Sequence, residues 1–277
     1  MNDSIRHVSR NLRVAGLCTI ISRVFGLLRD QTMGALFGAG PIMDSFTVAF
    51  RLPNLARVLL GEGALTTAFL PIVVEELNHR GRDSAARVTW AIFVALTITL
   101  CSLVLVAEVA LALLTTLVDL SAQTQLLCHL TMLLLPYVIL ICLAAQLGAV
   151  LNALGHFVWP ALVPVVLNVV WLGALWWVIP AWWDDPVNQI WATSICVLIA
   201  GGLQLAFLLP VIWKCGFGDR ADWRTAADSI KRVAREMLPV VIGLSITQLN
   251  TVLDSFVAWG FAPTEGAAPF MALPGSP

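Results

Sequence analysis

The chain has 277 residues, of which 59% are hydrophobic and 12% are charged, with a net charge of −1 and a mean hydropathy of +0.87. Soluble domains are nearer to about 45–50% apolar and about 25% charged, so this composition excludes a soluble globular protein and predicts a polytopic membrane protein. The near-zero net charge says nothing about nucleic-acid or acidic partners, and no nucleic-acid partner is predicted.

Long apolar runs predict seven transmembrane helices, because a bilayer core of about 30 Å needs roughly 20 apolar residues per helix. The runs are rich in Leu and Ala and do not alternate, which favours an all-α fold over membrane strands. In chain order their predicted bounds are 12–30, 42–74, 87–118, 126–154, 158–180, 189–213 and 236–261. Arg23 interrupts the first run and no small-residue cleavage site follows it, so we do not expect a cleaved signal peptide.

Basic residues predict the orientation of these helices. Twelve of the sixteen Lys and Arg residues lie before the first helix, between the second and third, or between the sixth and seventh. The connections 119–125 and 181–189 contain none. Because cytoplasmic loops are enriched in Lys and Arg, the N-terminus is predicted to be cytoplasmic. Tryptophans near the ends of the runs, such as Trp159 and Trp213, are typical of a membrane interface.

The four remaining cations all lie in or between the first two runs, and acids accompany them. The cations are Arg23, Arg29, Arg51 and Arg57, and the acids are Asp30, Asp44 and Glu62. Charge within a membrane span is unfavourable, and such residues usually face a hydrated cavity on a substrate path. The alternative is that they are interfacial charges whose side chains reach the lipid headgroups.

The spacing within these two runs gives further detail. Arg23 and Asp30 are seven residues apart and therefore share a helix face, from which Asp30 could orient Arg23. Pro53, Gly61 and Gly63 interrupt the second run. A broken helix at membrane depth is tolerated only where it is buried in protein or lines a cavity.

The remaining polar residues give weaker signals. Glu108 and Asp254 are lone acids in the third and seventh runs, which could be accessory ion or proton sites or polar contacts within the bundle. Asn152 and Asn168 are candidates for hydrogen bonds between helices. The six cysteines form no C-x-x-C pair, and the histidines are not at metal spacing, so neither a metal site nor a cofactor is predicted. No catalytic motif is present, which disfavours an enzyme.

Several segments resemble the MurJ/MviN lipid II flippases of bacteria. They are "SRVFGLLRD" at 22–30, "FGAGPIMDSFTVAFRLPNLARVLLGEGALTTAFLP" at 37–71, "PYVILICLAAQLGAVLNALGHFVWPALVPVVLN" at 136–168 and "LPVVIGLSITQLNTVLDSFVA" at 238–258. The resemblance implies the fold of the multidrug/oligosaccharidyl-lipid/polysaccharide exporter superfamily, in which two helical lobes surround a central cavity. The substrate that it implies is lipid II, moved across the bacterial inner membrane.

The resemblance also implies a set of substrate-binding residues and a division of the chain. The matching cavity charges are Arg23, Arg29, Asp30, Asp44, Arg57 and Glu62, with Arg51 as an accessory. The expected division is a six-helix N-terminal lobe at 1–213, a basic cytoplasmic connection at 214–235, a seventh helix at 236–261 and a truncated Pro/Gly/Ala-rich tail at 262–277.

Family members have about fourteen spans, so a second lobe or second chain is expected as a partner, beside lipid II and membrane lipids. Three alternatives remain open: an inactive fragment, a half-transporter that needs a partner, and an exporter of another polyprenyl-linked glycan. The superfamily carries several kinds of cargo, so the fold alone does not select the substrate.

Overall fold

The computed structural model of the protein describes residues 2–59, 63, 66–218, 229–243, 253, 254 and 257. Within these ranges the chain is an all-α bundle. Its helices are α1 (Asn2–Phe37), α2 (Pro41–Ala56), α3 (Thr66–His79), α4 (Arg82–Leu117), α5 (Ala122–Ala153), α6 (Val158–Gly173), α7 (Ile179–Trp182) and α8 (Pro186–Lys214). A π-helical segment, Ala174–Val178, joins α6 to α7 without a break.

Within the described part of the chain, four helices are long and apolar enough to cross a membrane, and they match four of the predicted spans. Their bounds are Arg82–Leu117, Ala122–Ala153, Val158–Trp182 and Pro186–Lys214. Side-chain caps fix two of their starts. The Ser121 hydroxyl accepts from the Thr124 amide at the start of α5, and the Asp185 carboxylate accepts from the Asn188 amide at the start of α8. Such caps satisfy amides that have no partner in the first helical turn.

The first two predicted spans have a different structure. Helix α1 has 36 residues and extends the predicted run at both ends. The second run is divided between α2 and α3, and a π-helical turn at 57–59 follows α2. The helix continues three residues past Pro53, so the break lies at Arg57 rather than at the proline. A proline removes one hydrogen bond from the ladder, and a π-turn changes its register.

Helix α5 is the centre of the bundle and packs against α2, α4 and α8, while α1 packs against α6. Small residues allow these close approaches. A Cβ added at Gly201 of α8 would lie 2.6 Å from the Tyr137 ring of α5, and one added at Gly148 would lie 3.4 Å from Pro160. Alanine at position 201 would therefore force the two helices or the ring to move.

The core forms two apolar clusters at opposite ends of the bundle. We call the end where α3, α5 and α8 finish the basic end, because Arg80, Arg82 and Lys214 lie there. The cluster at this end includes Phe69, Leu147 and Phe217. The cluster at the opposite end is built around aromatic residues of α2, α5 and the α6 segment, including Phe46, Tyr137 and Trp171.

A further helical segment at 229–243 packs on the basic end. Val233 is buried there, and the Arg232 guanidinium donates to Glu75 of α3 at 2.8 Å. This segment covers the end of the predicted connection 214–235 and the start of the predicted seventh span. The rest of that span, apart from 253, 254 and 257, and the predicted tail at 262–277 lie outside the described residues.

Candidate functional site

A cavity of about 570 Å³ lies in the bundle between α1, α2, α5, α6 and α8. Its polar lining comes from Arg29, Asn54, Arg57, Thr66, Tyr137, Asn152, Asn168 and Gln204. Small and apolar residues, including Gly26, Ala144 and Gly148, form the rest of its wall. Two arginines therefore enter one cavity whose remaining lining carries no acidic side chain among the described residues.

Arg29 is held by three neighbours. Its Nε and Nη2 atoms donate to Asp30 Oδ1 at 3.0 and 2.8 Å, and its Nη1 atom donates to Asn168 Oδ1 at 3.1 Å. Its guanidinium carbon lies 4.6 Å from the centre of the Trp171 ring, within cation–π distance. The Arg29 side chain is only 19% exposed, so these contacts orient a cation that is largely withdrawn from solvent.

Asn168 joins this arginine to the helix backbone. Its side-chain nitrogen donates to the Ser22 carbonyl of α1 at 3.0 Å, while its oxygen accepts from Arg29. Gly26 of α1 lies opposite, where a Cβ would be 3.6 Å from the same nitrogen. Asn168 is ten residues into α6, about 15 Å along the axis and near the middle of the span Val158–Trp182. The Arg29 site thus lies near the middle of this candidate span.

Arg57 reaches the cavity from the π-helical turn after α2. Its Nε and Nη2 atoms donate to Asn54 Oδ1 at 3.2 and 3.0 Å. Its backbone amide still makes the ordinary α-helical bond to the Pro53 carbonyl and also donates to that of Asn54, and the π-helical residues 57–59 begin here. Isolated π-turns are frequent at functional sites, because they turn a side chain away from the regular helical direction.

An aromatic group supports the cavity from the opposite end of the bundle. The Trp171 ring makes edge contacts with Phe46 and Phe50, with centroids 5.8 and 5.3 Å apart. Phe50 also stacks with Tyr137, the single tyrosine of the chain, at 6.2 Å. Arg29, Arg57 and Tyr137 all line the same cavity.

Three of the charged residues singled out from the sequence meet at this site. Arg29 and Arg57 line the cavity, and Asp30, whose side chain is 66% exposed, pairs with Arg29. The sequence spacing suggested Arg23 as the residue that Asp30 orients. The structure instead pairs Asp30 with its neighbour Arg29, because a long guanidinium can fold back onto the adjacent carboxylate.

The other charged candidates lie outside the cavity lining. Arg23 and Arg51 are exposed, Glu108 is half-buried in α4, and Asp254 is exposed. Asp44 lies in the first turn of α2, where the amides of a helix start favour a carboxylate. Glu62 is outside the described residues. The substrate-binding role of all these residues stays a prediction.

Sequence reasoning missed Asn54, Tyr137, Trp171 and Gln204 as parts of the site. Asn54 had a local signal, since it precedes Arg57 by three residues on one helix face. Gln204 is 1% exposed and lines the cavity, and its nitrogen donates to the Val163 carbonyl at 2.7 Å. Its Oε1 atom is buried without a hydrogen-bond partner in the described structure, so it can accept a hydrogen bond from a ligand.

A family model described as lipid II flippase MurJ matches residues 33–270. Curated relatives include a probable lipid II flippase MurJ of Rhizobium tropici, 34% identical over 94% of this chain and 49% of the relative. One from Vibrio cholerae is 33% identical over 91% and 50%. The lipid II flippase MurJ of Burkholderia cenocepacia is 32% identical over 89% and 49%. The chain spans about half the length of the curated relatives it matches.

Solved structures show the same fold. A lipid II flippase MurJ in an inward closed conformation matches with a TM-score of 0.70 and 23% identity, over 88% of this chain and 50% of that one. A MATE protein in complex with MaD3S matches with a TM-score of 0.66 and 14% identity, over 90% and 55%. The described bundle therefore has the fold of one lobe of these MATE-like proteins.

Proposed function

The chain belongs to the lipid II flippase MurJ family, and from this premise we propose that it forms the N-terminal lobe of a lipid II flippase. It would move the undecaprenyl-diphosphate-linked peptidoglycan precursor from the inner to the outer leaflet of the bacterial cytoplasmic membrane. The observation that carries this proposal is the convergence of Arg29 and Arg57 on one cavity within the helix bundle. Movement without bond cleavage needs a binding site of this kind and no catalytic group.

The chemistry of the two cations fits a diphosphate. A guanidinium is always charged and presents a planar fork of donors that matches phosphate oxygens. Hydrogen bonds to Asn168 and Asn54 already orient the guanidinium groups of Arg29 and Arg57. Less side-chain conformational entropy is therefore lost when the substrate binds. The partnerless Gln204 oxygen would accept from a hydroxyl or amide of the headgroup. The polyprenyl tail would stay in the lipid beside the helices.

The acids would compete with the substrate for the arginines. Asp30 binds Arg29 through one oxygen and is mostly exposed, so a phosphate can displace it at little cost. Asp44 and Glu62 are proposed to act in the same way, and Arg23 to bind the headgroup from the exposed surface of α1. We propose accessory roles in the substrate path for Arg51, Glu108 and Asp254. Rocking of this lobe against a second one would then open the cavity to each side in turn.

The proposed orientation has a cytoplasmic N-terminus. The spans α4, α5, α6–α7 and α8 alternate in direction, which brings Arg80, Arg82 and Lys214 to one end of the bundle and Asp119 and Asp184 to the other. The positive-inside rule assigns the basic end to the cytoplasm. The connection 214–235 is therefore proposed to be cytoplasmic, and 236–261 to span the membrane.

This orientation predicts which single cysteines an impermeant thiol reagent can reach. In a background with Cys101 and Cys215 replaced by alanine, Asp184→Cys should be labelled in intact spheroplasts, whereas Gly218→Cys should be labelled only after the membrane is opened. The cysteines left in this background are buried, so they should stay silent. The reverse pattern at the two exposed positions would contradict the orientation.

A second lobe would supply the opposite wall of the cavity, since the chain spans half the length of its relatives. Cells depleted of their own flippase should therefore not be rescued by residues 1–277 alone. Residues 1–277 joined to the second half of the Burkholderia cenocepacia relative should restore lipid II at the outer face. Rescue by the chain alone would favour a half-transporter that pairs with itself. If neither the chain alone nor the joined protein restores lipid II at the outer face, although each is present in the membrane, the result would favour an inactive fragment or a different glycan cargo.

A further inference from the structure

A second cavity, of about 550 Å³, lies at the basic end and is separate from the proposed substrate site. It is bounded by the start of α4, the end of α5, the start of α6 and the end of α8. Its lining includes Arg82, His156, Trp159, Phe207, Pro210 and Lys214. No residue of this cavity lines the first one, so the proposed function does not account for it.

The polar part of the lining is basic. Arg82, His156 and Lys214 are all exposed side chains, and the described lining contains no acidic residue. Arg82 is oriented, because its Nη1 atom donates to the Cys215 carbonyl at 3.1 Å. Gly216 has a φ of +82°, and a Cβ there would lie 3.2 Å from Arg82 Cδ. The turn after α8 therefore leaves room for the Arg82 side chain beside Lys214.

Backbone amides add to this positive character. Helices α4 and α6 both begin at the cavity, and neither N-cap residue, Gly81 or Phe157, makes a side-chain cap. The first amides of a helix lack partners within it, and they favour an anion. Together with the basic side chains, they form a pocket suited to a phosphate group.

The other wall of the cavity is apolar and lies at the level of the membrane interface. Trp159 packs against Phe207 with ring centres 5.3 Å apart, and Pro210 is exposed beside them. Trp159 and Trp213 are 38% and 56% exposed at the same end. Exposed indoles of this kind mark the headgroup level of a bilayer. A soluble phosphate would leave this apolar wall without a partner.

We propose that this cavity binds an anionic phospholipid of the adjacent leaflet, with its phosphate between Arg82 and Lys214 and an acyl chain against Trp159, Phe207 and Pro210. In the proposed orientation this is the cytoplasmic leaflet. The bound lipid would fill the space between α4, α6 and α8 at the base of the lobe. The proposal requires the chain to be in a membrane and does not depend on flippase activity.

The test is a lipid titration of the 277-residue chain, with bound lipid counted by native mass spectrometry. The probes are phosphatidylglycerol, phosphatidylcholine and inorganic phosphate. The double variant Arg82→Gln/Lys214→Gln should bind phosphatidylglycerol at least about tenfold more weakly, because each cation near the headgroup contributes to the binding of an anionic lipid. Lys214→Gln alone, at an exposed position at the end of α8, should show a smaller loss in the same direction without a risk to folding.

The matched control is Lys231→Gln/Arg235→Gln, which removes the same charge from exposed positions of the 229–243 helix. It should retain full phosphatidylglycerol binding. Equal weakening in both double variants would show diffuse attraction to the protein surface and would overturn the proposal. The proposal would also be overturned if phosphatidylcholine bound as tightly as phosphatidylglycerol, or if inorganic phosphate bound as tightly as the lipid.

Discussion

Helices α1 and α5 are similar in length, with 36 and 32 residues, but they differ in what surrounds them. Helix α5 is largely buried, contains no Asp, Glu, Lys or Arg, and contacts five other helices, α2, α3, α4, α6 and α8. Between residues 16 and 37 the side chains of α1 are mostly exposed; this helix packs mainly on α6 and carries Arg23, Arg29 and Asp30. The comparison shows two structural roles: the apolar helices α4, α5, α6 and α8 form a scaffold, and α1 and α2 at its side carry most of the charged candidates for the site.

Backbone regularity follows this division only in part. Helices α4, α5 and α8 run without a π-segment for 36, 32 and 29 residues, and α2 is followed by a π-helical turn at 57–59. However, α1 is also regular over 36 residues, and α6 continues into the π-helical segment Ala174–Val178. Asn168 is the clearest polar contact between the scaffold and the charged side formed by α1 and α2. It lies on α6, accepts a hydrogen bond from Arg29 and donates one to the Ser22 carbonyl of α1. If this division is correct, substitutions on the charged side should impair transport, and those in the scaffold should impair stability.

The largest expected effect comes from the cavity cations. In the joined protein that carries the second half of the relative, Arg29→Ala and Arg57→Ala should each reduce lipid II at the outer face to the level of the depleted strain. Each change removes a charge-assisted donor fork that nothing else in the lining replaces. Arg→Lys at the same positions should also fail if the bidentate fork is required.

The control for the arginine variants is Arg80→Ala, which removes a side chain that is 68% exposed at the basic end. It should leave activity intact, and all variants should reach normal levels in the membrane. Free exchange of Arg29 and Arg57 for lysine or alanine would favour the alternative that they only reach for lipid headgroups.

A stability effect is expected at the contact between α5 and α8. Gly201→Ala would place a methyl group 2.6 Å from the Tyr137 ring, so the free energy of unfolding should fall by about 1–3 kcal/mol through overpacking. Gly202→Ala is the matched control, because nothing lies within 4 Å of its added Cβ. Reaction of the buried cysteines with a fluorescent maleimide during heating would report unfolding. Equal midpoints for the two variants would contradict the close approach.

Hydropathy and charge predicted the scaffold well, since long apolar runs set the bounds of α4, α5 and α8 directly. They predicted the site only in part. The partners Arg29 and Asn168 are 139 residues apart, and nothing in local sequence indicates that α1 packs on α6. The sequence spacing wrongly paired Asp30 with Arg23, whereas the structure pairs it with Arg29, because helix periodicity describes Cβ directions and not the reach of a long side chain. Pro53, Gly61 and Gly63 predicted a break in the second run, but nothing in the local sequence indicated that a π-helical turn would begin at Arg57.

A smaller effect on activity and stability is expected at Asn168, where α6 of the scaffold contacts α1. Asn168→Ala would remove the partners of Arg29 and of the Ser22 carbonyl, so activity should fall about tenfold and the free energy of unfolding by about 1–2 kcal/mol. Asn168→Asp keeps the acceptor for Arg29 and loses the donor to Ser22, so it should regain activity but not stability. Asn188→Ala is the control, because its exposed side chain is not part of the α8 cap.

Joint loss of activity and stability in both Asn168 variants would make Asn168 a purely structural residue. Thermal midpoints and outer-face lipid II, measured on the same preparations, separate the two results. The outcome decides whether the scaffold only supports the lobe or also orients the Arg29 guanidinium for its substrate.

The smallest effect is expected at Asp30, and it tests the role of the acids. Asp30→Asn keeps an oxygen acceptor for Arg29 while removing the charge, and the side chain is 66% exposed, so stability should change by less than about 1 kcal/mol. Without a competing carboxylate, undecaprenyl diphosphate should bind more tightly and leave more slowly. Lipid II at the outer face should then fall about two- to threefold, which corresponds to the free energy of a weak, exposed ion pair.

In the Asn168→Ala background Arg29 has lost its other hydrogen-bond partner, so Asp30→Asn should have a larger effect there than it has alone. The measurements are equilibrium binding of undecaprenyl diphosphate and outer-face lipid II for the two single variants and the double. Complete loss of transport in Asp30→Asn, with binding weakened instead of strengthened, would show that Asp30 holds Arg29 in its active position and does not compete with the substrate.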